Sequence, residues 1–222
     1  MTPPALRIEG LHFQWPGSTG FSLDLPALEL ATGRSLFIYG PSGSGKSTLL
    51  NLIGGVLTPN AGRIELLGKP FSSWPASQRD AFRADHIGFI FQQFNLIPYL
   101  SVLDNVLLPC RFSSRRAARA GDTTATAQRL LNRLDIQPDL YHRPASALSV
   151  GQQQRVAAAR ALMGQPEIII ADEPTSALDD ARQNAFIELL LQEAHTHRSA
   201  VLFVSHNLNL AEHFDQRLGL DR

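Results

Sequence analysis

The chain has 222 residues, 44% hydrophobic and 18% charged, with twenty basic and twenty acidic side chains and a pI near 7.1. That size and balance suit one large domain with a real core, and they exclude a disordered chain and one drawn to nucleic acid by bulk charge. A single cysteine, Cys110, excludes a disulfide within the chain. No apolar run approaches the ~20 residues of a membrane helix. The start, MTPPALRIEG, is not expected to act as a secretory signal.

Leu6 to Phe13 and Phe21 to Leu30 alternate apolar and polar residues around Pro16-Gly17-Ser18, the pattern of two antiparallel strands. Ser35 to Tyr39 is a short apolar run suited to a buried parallel strand. Lys46 to Ile53 reads as a helix, and Gly62 to Gly68 and Ile87 to Phe91 as further strands. From Pro98 to Leu162 alanine, leucine and arginine dominate with helical spacing, so a helical insertion is expected. Ile168 to Ala171 and Ala200 to Ser205 are again buried-type strands, with an amphipathic helix, Ala181 to Ala194, between them. Strands alternating with helices argue for a mainly parallel α/β core.

Gly40-Pro41-Ser42-Gly43-Ser44-Gly45-Lys46-Ser47-Thr48 fits G-x-x-x-x-G-K-[ST] between an apolar strand and a helix. The glycines let successive N–H groups turn toward phosphates, and the helix start adds positive potential. Lys46 supplies a point charge for the β- and γ-phosphates, and Ser47 a hydroxyl for Mg²⁺. Asp172 ends the strand Ile168–Ala171, where a carboxylate can hold the metal. Glu173 is the candidate to orient or deprotonate the attacking water. His206 follows the strand Ala200–Ser205 at the same edge and can contact a γ-phosphate.

With LSVGQQQR at Leu148–Arg155, these pieces resemble the nucleotide-binding subunit of an ABC transporter, in family order over roughly residues 5 to 215. GPSGSGKST resembles its Walker A, FQQFNLIP its Q-loop with Gln92, LSVGQQQR its signature, and IIIADEP its Walker B. Ser176-Ala-Leu-Asp179 resembles its D-loop and Ser205-His206 its switch histidine. The resemblance implies a P-loop NTPase core with an antiparallel β subdomain, at about 1–92 and 163–222, and a helical subdomain at about 93–162. It implies ATP and Mg²⁺, with Gln92 on the metal and Trp15 stacked on adenine, Phe13 being the second choice for that stack. Two copies are expected to sandwich two ATP molecules head to tail. Ser149, Gly151 and Gln152 would then serve the γ-phosphate held by the other copy, with Asp179 at the same boundary. An integral membrane permease would dock near the Q-loop, and the chain would sit at the cytoplasmic face of the inner membrane through that partner.

Val150 departs from the glycine usual there. A β-branched residue does not readily take φ > 0, so either its backbone is ordinary or the loop differs. The stretch GFIFQQFNLIPYLSVLDNVLLP is most similar to ATPases of the lipoprotein-release and macrolide-export group. Phe94, Leu96, Ile97, Pro98, Tyr99 and Leu100 form either a dock for a membrane subunit or subdomain core. Arg111, Arg115, Arg116 and Arg119 read as a solvated helix face, ahead of contact with lipid heads. After Asp215 little room is expected for a regulatory domain. The alternatives are an ATPase that regulates envelope or division machinery without transport, and a soluble ABC ATPase acting on DNA or ribosomes. Neutral charge and one cysteine speak against the latter, so no nucleic-acid partner is expected.

Overall fold

The computed structural model describes residues 3–17, 20, 22–176 and 178–220. Ser18 of the expected turn, Phe21 at the start of the second expected strand and Ala177 of Ser176–Asp179 lie outside them.

The described chain builds two sheets. A three-stranded antiparallel sheet has the order β2-β1-β4, from β1 (Leu6–Gln14), β2 (Ser22–Leu30) and β4 (Ala61–Leu66). A five-stranded sheet has the order β5-β6-β7-β3-β8 with parallel pairings, from β3 (Ser35–Tyr39), β5 (Ile87–Ile90), β6 (Ile168–Asp172), β7 (Ala200–Val204) and β8 (Gln216–Gly219). Its central strands are buried on both faces, which is why they are uninterrupted apolar runs. Alternate residues serve different cores. Phe37, Ile169, Ala171, Val201 and Phe203 join the helical side, whereas Leu36, Ile38, Ile168, Ile170, Leu202 and Val204 join the side of the antiparallel sheet.

The helices are α1 (Lys46–Ile53), α2 (Ala76–His86), α3 (Val102–Phe112), α4 (Ser114–Ala120), α5 (Thr123–Arg133), α6 (Val150–Leu162) and α7 (Asp180–Thr196). The expected insertion is therefore four helices, α3 to α6, packed on one another. α6 also lies on β5, at a place only glycine permits: a Cβ on Gly88 would stand 2.2 Å from the carbonyl oxygen of Ala161. α2 and β8 carry no clear periodic signal and were not expected.

The basic run is a correction. Ser113 ends α3 and caps α4, so the four arginines do not share one helix face. Arg116 is buried and donates to the Ala161 carbonyl at 2.8 Å, and burial pushes its pKa down to about 10. Arg115 and Arg119 both bind Glu167, at 2.6 and 2.5 Å, and His86 lies 2.9 Å from its other oxygen. Burial opposes ionisation of Glu167, but the bonds from His86 and Arg115 and the charge of Arg119 outweigh it and hold the pKa at about 2. Arg116 is thus a buried anchor of α4 on the core, while Arg115 and Arg119 reach Glu167 from partly exposed positions and Arg111, exposed, pairs with Asp104 at 2.6 Å. The apolar stretch is split: Phe94 is core, while Tyr99 is 80% exposed.

Candidate nucleotide site

The loop Gly40–Gly45 leaves β3 at the C-terminal edge of the parallel sheet and opens α1. Gly40 has φ 152, and a Cβ there would lie 2.4 Å from the Leu220 carbonyl oxygen, so only glycine fits. Gly45 is the N-cap of α1 with φ 98, and no side chain caps the helix. The first N–H groups of α1 are thus left for an external acceptor. Lys46 is 6% exposed and donates to the carbonyls of Gly40 at 2.9 Å and Pro41 at 3.0 Å. The buried hydroxyl oxygen of Ser44 has no partner within the described chain. A cleft of about 340 Å³ opens here, lined by Trp15, Ser42, Gly43, Gly45, Lys46, Ser47, Thr48, Glu173 and His206.

The carboxylates arrive from β6. Asp172 is half-buried and hydrogen-bonded to Ser47; burial pushes its pKa up, the Ser47 bond opposes this, and neighbouring Glu173 adds to the rise. Glu173 has φ 46, a left-handed backbone that costs a non-glycine residue on the order of 1–3 kcal/mol. Its N–H donates to the Val204 carbonyl at 3.1 Å, and its Oε1 lies 2.5 Å from Nε2 of His206. Such strain at a strand end, held by a bond to β7, aims the carboxylate into the cleft.

Trp15 presents its ring at this cleft, 43% exposed and edge-to-face with Phe13 at 5.2 Å. Phe13 is buried beneath it, so the two candidates separate into a presented ring and its support. Gln92 is exposed and does not line the cleft. Asp179 caps α7, accepting from the Arg182 N–H at 3.0 Å, and also lies off the cleft.

Ser149, Gly151 and Gln152 line a second cleft, of about 500 Å³, with Val150, Leu178 and Arg182 among its other walls. Ser149 is the N-cap of α6 and forms a capping box with Gln152: Gln152 N–H donates to Ser149 Oγ at 3.3 Å, and Ser149 N–H to Gln152 Oε1 at 2.9 Å. Val150 is the first helical residue and does not take a positive φ, so the backbone there is ordinary.

Two side chains that sequence reasoning passed over tie the switch segment to the Asp179 loop. Gln183, buried on α7, donates to the carbonyls of Thr175 at 3.2 Å and Leu178 at 2.8 Å. Asn207, next to His206, donates to Gln183 Oε1 at 3.0 Å and to Asp180 at 3.2 Å. Neither carries a sequence signal, since each acts only through the fold.

Among the described residues no helix is long and apolar enough to cross a membrane. The family model described as ABC transporter matches residues 23–176. A lipoprotein-releasing system ATP-binding protein, LolD, of Nitrobacter hamburgensis is 38% identical over 90% of this chain and 84% of its own length. The macrolide export ATP-binding/permease protein MacB of Rhodopseudomonas palustris is 38% identical over 95% of this chain, which spans 32% of that relative. The dimeric ATP-binding cassette MJ0796, solved in a post-hydrolysis state with ADP and Pi, superposes with a TM-score of 0.81 and 32% identity over 97% of this chain and 94% of its own. The chain belongs to the ABC transporter family, as an ATP-hydrolysing cassette of the kind that powers a membrane transporter.

Proposed function

We propose that the first cleft holds Mg²⁺-ATP and that the second completes the equivalent site on another copy of this chain. The single observation that carries this is the contrast at the helix starts: α1 begins with no side-chain cap inside a cleft that also holds Lys46, Glu173 and His206. Trp15 stacks on adenine. Lys46 leaves the Gly40 and Pro41 carbonyls for the phosphates, joined by N–H groups of Ser42 to Thr48.

Ser47 and Asp172, already bonded to each other, offer the hard oxygen donors that suit Mg²⁺, an ion that keeps waters and takes its other ligands from phosphates. Gln92, which lies off the cleft, would supply a further oxygen on moving toward it. When bound, Mg²⁺ would supply charge neutralisation at the phosphates. Glu173 accepts a proton from water as its oxygen bonds the γ-phosphorus and the bond to the leaving β-phosphate oxygen breaks. His206 holds Glu173 and faces the γ-phosphate. Ser149, Gly151 and Gln152, with Asp179 beside them, close over the γ-phosphate of the other copy.

The same reading divides the chain into an ATPase core, at about 1–92 and 163–222, and a helical subdomain at about 93–162. A permease docks near Gln92 and Tyr99, which keeps the chain peripheral at the cytoplasmic face of the inner membrane. Likeness to proteins named for lipoprotein release and macrolide export supports work on the cell envelope.

The test is complementation. Lys46→Met and Ser149→Arg are each expected to abolish activity, and mixing the two proteins is expected to restore part of it, because one site of the mixed pair is intact. A mixture as inactive as its components would show that the sites are not shared.

A further inference from the structure

After Gln92 the backbone turns through Phe94 and Asn95, with φ of 59 and 48. Consecutive left-handed non-glycine residues cost on the order of 1–2 kcal/mol each, so the turn persists only where its surroundings hold it. Arg160 holds it. From α6 its Nη2 donates to the Phe94 carbonyl at 2.6 Å and its Nη1 to the Asn95 carbonyl at 2.7 Å. The guanidinium is largely withdrawn from water, and burial pushes its pKa below the usual range. Its charge is thus spent on two backbone carbonyls rather than on a carboxylate. A planar fork reaches two adjacent acceptors at once, which an ammonium on a flexible stem does not. The Phe94 ring lies in the same buried cluster as Ala157, Ala158 and Ala161 of α6.

The next residues are fixed from the other side. Asn105 of α3, fully buried, accepts from the Ile97 N–H at 2.8 Å and donates to the carbonyls of Ile97 and Ser101, both at 3.0 Å. Tyr99, largely in solvent, lies within the span that Asn105 holds, between Ile97 and Ser101. Arg160 lies eleven residues after Ser149 on one unbroken helix, about 16 Å along its axis.

We propose that Arg160 is a positioning residue that joins the turn after Gln92 to α6, so that a push on residues 94–101 arrives at Ser149 and Gly151 as a displacement of the whole helix. This rests on the reading of those two residues as serving the nucleotide of a second copy. The helix is the rod, and the Arg160 fork is the joint between it and the exposed Tyr99 segment.

Two measurements test it. In the nucleotide-free chain with Cys110→Ser, spin labels replace Tyr99 and Val150, two exposed side chains, and their distance distribution is recorded by pulsed electron resonance. It is expected to be narrow, to at least double in width with Arg160→Met, and to widen partly with Arg160→Lys. A control pair at Val56 and Leu208 is expected to stay unchanged. An unchanged width in Arg160→Met, or equal broadening of both pairs in both variants, overturns the joint.

In a Glu173→Gln background, sedimentation then reads ATP-driven dimerisation. Arg160→Met is expected to weaken it about tenfold, and Phe94→Ala, on the same turn, to add less than its own separate factor, since both act through one joint. Fully multiplicative factors overturn the coupling. A parent that stays monomeric with ATP removes the shared-nucleotide reading, and the label distances alone then decide whether the joint exists.

Discussion

Two helices of this chain start at candidate anion sites, and they start in opposite ways. α1 opens on Gly45, with a left-handed backbone and no side-chain cap. α6 opens on Ser149, whose capping box with Gln152 satisfies an N–H at each end. α1 therefore keeps its first donors for a ligand, and surrounds them with Lys46, Ser47, Glu173 and His206. α6 satisfies part of its own demand and carries no lysine or carboxylate among Ser149 to Gln152. On the proposed reading, the first site captures a nucleotide by itself, and the second, stable without one, adds to a site already filled.

The largest expected effect lies on the capturing side. Glu173→Gln should lower steady-state turnover by roughly 10²–10⁴, the usual weight of a general base, and leave ATP binding in place. Phosphate release measured beside equilibrium nucleotide binding checks both halves. Unchanged hydrolysis would remove Glu173 from the mechanism and leave its strained backbone without a function. Next in size is Lys46→Met. A hydrogen bond to a charged group is worth about 1.5–3 kcal/mol, so ATP affinity should fall roughly 10- to 150-fold. Fluorescent-nucleotide titration reads this. If the same loss followed a change at Ser149 in the isolated chain, the contrast between the two helix starts would be wrong.

What was legible in the sequence follows the same contrast. The loop Gly40–Thr48 is a contiguous string in which each residue acts through its own backbone or charge, so its role is open to reading. Asp172 and Glu173 are legible because a strand end in such a sheet has one outlook. Arg160 and Gln183 are not, because their partners lie 65 and 66 residues away in one case and, for Asn207 on Gln183, 24 residues away in the other. The run from Arg111 to Arg119 was misleading for a local reason: Ser113 breaks the helix and turns Arg116 inward. β8 carries the sequence QRLG, and only its pairing with β3 makes it a strand.

Gly151 sets the start of α6 apart as well. Its φ is not positive, and a Cβ there would meet nothing closer than a Leu178 methyl at 3.9 Å. Nothing within the described residues demands glycine, although alanine is favoured in a helix by up to about 1 kcal/mol. Gly151→Ala should therefore raise the melting temperature of the isolated chain by a few degrees at most. It should also weaken ATP-driven dimerisation of the Glu173→Gln form about tenfold, because the added methyl would hold the other copy's γ-phosphate off this N–H, a loss at the lower worth of one charge-assisted hydrogen bond. A more stable chain that dimerises as well as its parent would leave Gly151 without a reason, and the second cleft without a ligand.

The smallest effect belongs to Val150. It sits at the first position of α6, half in solvent, with an ordinary helical backbone. Glycine there would add freedom to the unfolded chain and cost about 0.5–1 kcal/mol. It would free no donor, because Ser149 and Gln152 already cap the turn. Val150→Gly should thus lower the melting temperature slightly and change ATP turnover by less than about threefold. A hundredfold gain would mean that the valine side chain, not the backbone, holds the second cleft shut. α6 would then be the degenerate half of the pair rather than its preformed one.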